Sequence, residues 1–231
     1  MIEGSSIDFG IYINADDIAI SLRENKFSFS DYEITTNQKE FVSIAVASGL
    51  ISVEFSEAYF LSSFKFQKSQ KLTLLKKEAD ERIAQVIADF LRKKLLEENR
   101  KFSFETVFSH SGKLDIMREA KNKGYKVYLY FVSTESAEIN IYRVQVRKEK
   151  GGHDVPAEKI RSRYERSLDL LFGAAQLSYQ TFFFDNSLEK PKLFAHFKTG
   201  KKGKVWDKIK ESDVPDWFRK YYSDKIPNGK G

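Results

Sequence analysis

Between residues 72 and 99, apolar side chains recur three, four and seven positions apart: Leu75, Ala79, Ile83, Val86, Ile87, Phe90, Leu91 and Leu95, with Lys and Glu between them. That period predicts a helix over 72–99 with one apolar stripe. Upstream the signals are shorter. Gly10-Ile-Tyr-Ile-Asn14 reads as a strand, 16–24 as a short helix with acids at its positive end, and 37–49 as a helix ending at Gly49; 52–66 fits either type. Past residue 99 the pattern alternates. Residues 102–106 read as a strand and 111–122 as a helix terminated by Gly124. The run 126–132 is almost continuously apolar, which predicts a strand buried on both faces. A helix over 135–150 is stopped by Gly151 and Gly152, Pro156 opens another that runs to Leu177, and 179–184 returns to strand. This alternation predicts an α/β fold with a mainly parallel sheet and flanking helices. Residues 192–198 and 204–206 add a small antiparallel extension, and Pro215 opens a last helix.

Composition narrows the picture. The chain has 231 residues, 41% of them hydrophobic and 14% aromatic, enough for a real core. Its lack of cysteine excludes disulfides, thiolate zinc sites and cysteine nucleophiles. Asn14, Asp16 and Asp17 interrupt the apolar residues near the start, and no run approaches the ~20 apolar residues of a membrane span. The expectation is a cytoplasmic protein without signal peptide or membrane contact. The net charge of +6 is uneven: 190–231 hold 12 Lys/Arg against 5 Asp/Glu. A basic tail suits a polyanion, but the lysines of 198–204 sit among glycines, so an ordinary solvated loop is expected over a nucleic-acid contact.

In open parallel sheets, ligands gather at the carboxyl ends of the strands. Four polar clusters follow predicted strands: Asn14-Ala15-Asp16-Asp17, Glu105-Thr106 with Ser109-His110, Ser133-Thr134, and Asp185-Asn186-Ser187. Asp16 and Asp17 read either as acids at a helix start or as a carboxylate accepting a proton from a substrate hydroxyl. Glu105 closes a strand carrying Phe102 and Phe104, where a charge needs solvent or a partner. Arg143 falls within the apolar face of Ile139, Tyr142 and Val146, Arg147 lies one turn on, and Arg161 and Arg163 flank the stripe of Ile160, Tyr164, Leu168 and Leu171. Such guanidinium groups clamp phosphate or pair with internal carboxylates. His110, His153 and His196 show no metal-ligand spacing, and no Gly-x-Ser-x-Gly elbow is present, so no metal site is expected.

The same residues carry a family resemblance. Ile-Asn-Ala-Asp-Asp-Ile (13–18), Phe-Glu-Thr-Val-Phe-Ser-His (104–110), Ala-Lys-Asn-Lys-Gly-Tyr-Lys-Val (120–127), Arg-Val-Gln-Val-Arg (143–147), Gly-Gly-His-Asp-Val-Pro (151–156), Arg-Ser-Arg-Tyr-Glu-Arg-Ser (161–167) and Phe-Asp-Asn-Ser (184–187) follow in order. Over 9–187 the chain resembles the zeta-toxin-like P-loop kinases. The resemblance implies a P-loop kinase fold, ATP and Mg2+ as cofactors, and a small-molecule or nucleotide-sugar hydroxyl as phosphoryl acceptor, with an antitoxin-like protein as a further partner. Position by position, it implies Asp16 as the acid that activates the acceptor and Glu105, Thr106 and Ser109 as substrate-binding residues. Arg143, Arg147 and Arg163 become phosphate contacts, and Asp185 and Asn186 lie on the adenine side. The implied organisation is a kinase-like domain over 1–189 with a basic extension, 190–231, packed on it.

One element of that family is missing from these residues. No G-x-x-x-x-G-K-[ST] occurs; the nearest fragment, Ser111-Gly112-Lys113-Leu114, has Val107 where the first Gly belongs and no hydroxyl after Lys113. Without the loop's amides and lysine, phosphate transfer is expected to be poor or absent, leaving either an incomplete kinase or a non-catalytic remnant that binds a nucleotide or protein. The resemblance puts the absent central strand between the strands of 102–106 and 126–132. The expected spatial order is 11–14, 102–106, 126–132, 179–184, the middle two adjacent or separated by a substitute such as residues 1–4.

Overall fold

Short strands and amphipathic helices build a first compact unit, residues 1–106, around one buried helix; residues 107–231 form a second unit with its own core. The computed structural model describes residues 8–151 and 154–227. The expectations placed on residues 1–4, Gly152 and His153 lie outside the described residues. The protein is α/β and about half helical. Among the described residues no helix is long and apolar enough to cross a membrane.

In the first unit, β1 (Ile11–Ile13) leads into α1 (Ala15–Arg23), whose Asn14 N-cap side chain accepts from the Asp16 amide at 2.8 Å. Asp16 and Asp17 occupy the first turn, where carboxylates favour the helix dipole. Helices α2 (Gln38–Val46) and α3 (Glu57–Ser62) start at Asn37 and Ser56, each capping through its side chain. Strands β2 (Phe64–Phe66) and β3 (Leu72–Leu74) then form an antiparallel hairpin. This corrects the helix expected over 72–99. Leu72–Leu74 pairs with Phe64–Phe66, Leu75 donates its amide to the Ser63 carbonyl, and the helix, α4, begins only at Asp80 and runs to Glu97. The Leu75 side chain is accordingly exposed. Along α4, Ile83, Val86, Ile87, Phe90, Leu91 and Leu95 are all buried, and Phe90 sits 5.4 Å and 5.2 Å from the rings of Phe29 and Phe41. The unit closes with β4 (Phe102–Phe104), parallel to β1.

The second unit alternates helix and strand: α5 (Gly112–Asn122), β5 (Tyr128–Ser133), α6 (Ala137–Glu149), α7 (Ala157–Leu177), β6 (Gln180–Asp185), β7 (Lys192–Gly200), β8 (Gly203–Trp206) and α8 (Asp216–Tyr221). Its sheet has the order β5-β6-β7-β8, with β5 parallel to β6 and the other pairs antiparallel. Leu114 and Met117 of α5, Leu168 and Leu171 of α7, and Trp217 and Phe218 of α8 all join the core that covers Phe131, Phe183 and Phe197. Helices therefore cover one sheet face.

Three expectations about the sheet are corrected. It is not mainly parallel, since three of the five strand pairings among the described residues are antiparallel; the antiparallel extension expected over 192–198 and 204–206 is present as β7 and β8, joined to the main sheet through β7. Strands β4 and β5 belong to different sheets, so they are neither neighbours nor bridged by a substitute strand among the described residues. The run 126–132 is not buried on both faces either: Tyr128, Tyr130 and Val132 are 50%, 41% and 52% exposed. Their period-2 positions share the face that carries no helix, while Phe131 points into the core.

Candidate functional site

The polar residues after β1 and β4 meet because the two strands run parallel in a register that pairs Ile13 with Phe104. Asn14 and Glu105, one position further along each strand, therefore emerge side by side. The Asn14 Nδ2 lies 3.5 Å from Glu105 Oε2 and donates to the Tyr12 hydroxyl at 3.2 Å. Burial, followed by the negative charges of Glu105 and Asp17, pushes the Tyr12 phenol above its ordinary pKa. Asp16 is exposed at the start of α1, and its carboxylate makes no hydrogen bond among the described residues. Thr106 is exposed in the same stretch as Glu105. Tyr12, Asn14 and Glu105 thus meet at this corner, and Asp16 and Asp17 follow in the first turn of α1; a free carboxylate there can receive a proton from a hydroxyl. Tyr12 went unnoticed in the sequence because it reads as a strand residue; the clue is its position two before Asn14, on the same strand face.

The other expected residues belong to the second unit. Ser109 is half-buried ahead of α5, where the neighbouring His110 Nδ1 accepts from the Gly112 amide at 3.1 Å. Register pairs Ser133 with Asp185, which sets two further polar clusters together at the carboxyl ends of β5 and β6. Asp185 Oδ1 accepts from Ser187 Oγ at 2.8 Å and from Trp217 Nε1 at 3.3 Å. Ser187 Oγ in turn accepts from the Glu135 amide, and Glu135 Oε1 accepts from the Asp216 amide. Asn186 donates its amide to the Ser133 carbonyl at 2.7 Å. These bonds tie β5, β6 and α8 together, so the Asp185 side chain already holds structure.

The arginines divide by partner. Arg161 pairs with Glu138 at 3.2 Å and Glu158 at 2.8 Å, the internal-pair alternative. Arg143, half-buried on α6, donates to the Leu188 carbonyl at 2.7 Å. Arg147 is exposed and Arg163 half-buried, and neither has an ion pair or hydrogen bond among the described residues. No group of three or more His, Asp or Glu side chains among the described residues is arranged to hold a metal ion.

The residues expected from the sequence are thus split: Asp16, Glu105 and Thr106 stand in the first unit, and Ser109, Arg143, Arg147, Arg163, Asp185 and Asn186 in the second. Comparison with known proteins adds little to this geometry. No family model and no solved structure matches the chain. An uncharacterized protein of Haemophilus influenzae is 30% identical over 63 residues, a stretch that makes up 27% of this chain and 45% of that relative.

Proposed function

We propose that the chain carries the acceptor side of a zeta-toxin-like ATP-dependent phosphotransferase, in which Asp16 takes the proton from an acceptor hydroxyl and Glu105 with Asn14 positions that acceptor. The observation that carries this reading is the meeting of Asn14 and Glu105 at the carboxyl ends of the parallel strands β1 and β4, with Asp16 opening the next helix.

ATP and Mg2+ do not fit the residues present. The 231 residues offer no glycine-rich loop ending in Gly-Lys-Ser or Gly-Lys-Thr, and the described residues offer no acidic trio for a metal. The alternative reading, a remnant that binds a nucleotide or protein without catalysis, draws on the same absence.

Two measurements separate the readings. Titration calorimetry of Mg-ATP against this chain should give no binding tighter than millimolar. In a chain extended by a strand, a glycine-rich loop ending Gly-Lys-Ser and a helix ahead of Gly10, phosphoryl transfer should appear. There, Asp16→Asn should lower turnover by roughly a hundredfold or more while leaving ATP affinity nearly unchanged, since a general base acts on the hydroxyl. Undiminished turnover in that variant removes Asp16 from the role, and an extended chain that binds ATP yet transfers nothing favours the remnant.

A further inference from the structure

Two lysines of this chain leave water in opposite company. Lys94, buried on α4, binds Glu40 at 2.7 Å and Glu97 at 3.1 Å, and Glu40 above all holds its pKa over the ordinary lysine value. Lys204 has no such partner. The lysines of 198–204, expected from the sequence in a solvated loop, lie instead in the β7–β8 hairpin, where Lys204 stands opposite Thr199. Its half-buried side chain places Nζ 4.5 Å from the ring centroid of Phe197 and 5.3 Å from that of Tyr222, both core residues, 0% and 1% exposed. Nζ donates to the Tyr222 hydroxyl at 2.9 Å, and burial pushes that phenol's pKa upward, so the oxygen accepts without bringing a negative charge. Lys204 makes no ion pair among the described residues. Besides Tyr222, the titratable group that bears on it is Lys121, at the end of α5, which carries the same charge.

Ring faces return part of the hydration that an ammonium loses there, but no carboxylate returns the rest, and a like charge nearby adds to the cost. The neutral amine escapes both penalties. Burial first, and Lys121 after it, accordingly bring the Lys204 pKa down to about 8. A desolvated lysine beside a second cation is the arrangement that makes an amine nucleophilic near neutral pH. At pH 7.5 roughly a quarter of such an amine is neutral, against about a thousandth for a lysine of pKa ~10.4. Intrinsic nucleophilicity falls with pKa, as it does for thiols, and takes back about tenfold of that advantage.

We infer that Lys204 is a modification site, the lysine that a small activated acyl group, carried as an acyl phosphate or a thioester, acylates first. The neutral Nζ attacks the acyl carbon, and the C–N bond forms as the bond from that carbon to the phosphate oxygen or thiolate sulfur breaks. The leaving group departs with the electron pair, and the proton shed by nitrogen goes to solvent. The amide so formed is uncharged and keeps an N–H for the Tyr222 hydroxyl, so acylation removes the unpaired charge without giving up the hydrogen bond. The proposed acceptor chemistry uses no residue of β8.

Limited acetylation of the folded chain with acetyl phosphate, and separately with acetyl-coenzyme A, gives the rate at each lysine by peptide mass spectrometry and shows which donor serves. At pH 7.5, with at least one of them, Lys204 should react about fivefold or more faster than Lys201 and Lys202, exposed in the adjoining turn, and should outpace Lys94 further. Its rate should level off above pH about 8, while those of Lys201 and Lys202 go on climbing towards ~10.4. In denaturing guanidinium chloride the advantage should vanish, because the fold creates it. Lys121→Glu, an exposed change, should slow Lys204 alone by about threefold or more, since a carboxylate there favours the ammonium. If circular dichroism shows that this variant disturbs the fold, Lys121→Gln should slow Lys204 in the same direction. A Lys204 no faster than Lys201 with both donors overturns the assignment. So does a rate that climbs with pH in step with the exposed lysines, an advantage that survives the denaturant, or indifference to the change at Lys121.

Discussion

In the first unit, three-residue strands contribute little, and the phenylalanines of loops and helices close around α4 from several sides. Phe29 and Phe41 each meet Phe90 edge-on, and even the charged residues of α4 find partners: Lys94 binds Glu40 at 2.7 Å, and Arg92 binds Asp89 at 3.3 Å over the Phe104 ring. The second unit has longer strands and a proper sheet, yet its helices gather on one face and leave the other to water. The contrast shows that strand length and apolar content do not by themselves close a fold. Closure depends on whether another layer arrives, and in the second unit the aromatic side chains outnumber the layers available to cover them.

The sharpest way to break the comparison is to empty each core. Phe90→Ala in the first unit and Phe183→Ala in the second should each cost about 3–5 kcal/mol, since both rings are fully buried. Urea denaturation by far-UV circular dichroism measures both. Tryptophan fluorescence watches the second unit alone, because both tryptophans, Trp206 and Trp217, lie there. Next in size is Asp185→Ala, which strips partners from Ser187 and Trp217 and should cost about 1–3 kcal/mol, with altered Trp217 emission.

A pH effect of smaller size follows from Lys204. Its ammonium donates to the Tyr222 hydroxyl at 2.9 Å and lies 4.5 Å from the Phe197 ring centroid, and burial, with Lys121 adding to it, pushes its pKa down to about 8. The unfolded lysine titrates near ~10.4. Between those values the unfolded chain holds the extra proton, so stability should rise as pH climbs from about 8 towards ~10. Lys204→Met should abolish that rise and leave the protein at least as stable at neutral pH; an unchanged pH profile in the variant counts against the assignment. Smallest of all, Tyr128→Ala should cost less than about 1 kcal/mol, because half its surface already faces water. A loss comparable with Phe183→Ala would mean that the face is packed in solution and the contrast between the units is false.

Much of the local structure was legible. Pro156 and the apolar spacing after it place α7 at Ala157–Leu177, and Gly124, with φ +83°, follows the end of α5 as its place in the sequence implies. The pairing of Asn14 with Glu105 was half legible: each stands out as a polar residue after a strand, but only the parallel register makes them neighbours. Leu72–Leu74 was misread because its leucines continue the spacing of α4, while the partner that claims them, Phe64–Phe66, lies across a turn.

What the sequence determined by itself is what neighbouring residues settle among themselves: helix periods, caps, breaks, and the polar residues that follow each strand. Those depend on steric and hydrogen-bonding preferences within a few positions of the chain. Tertiary structure alone decided that β7 extends the sheet beside β6, that β4 and β5 enter different sheets, and that Tyr128, Tyr130 and Val132 are only half buried. A run such as Tyr128–Ser133 has the same composition whether one face is covered or two, because the free energy of burying it resides in the segment that comes to lie against it.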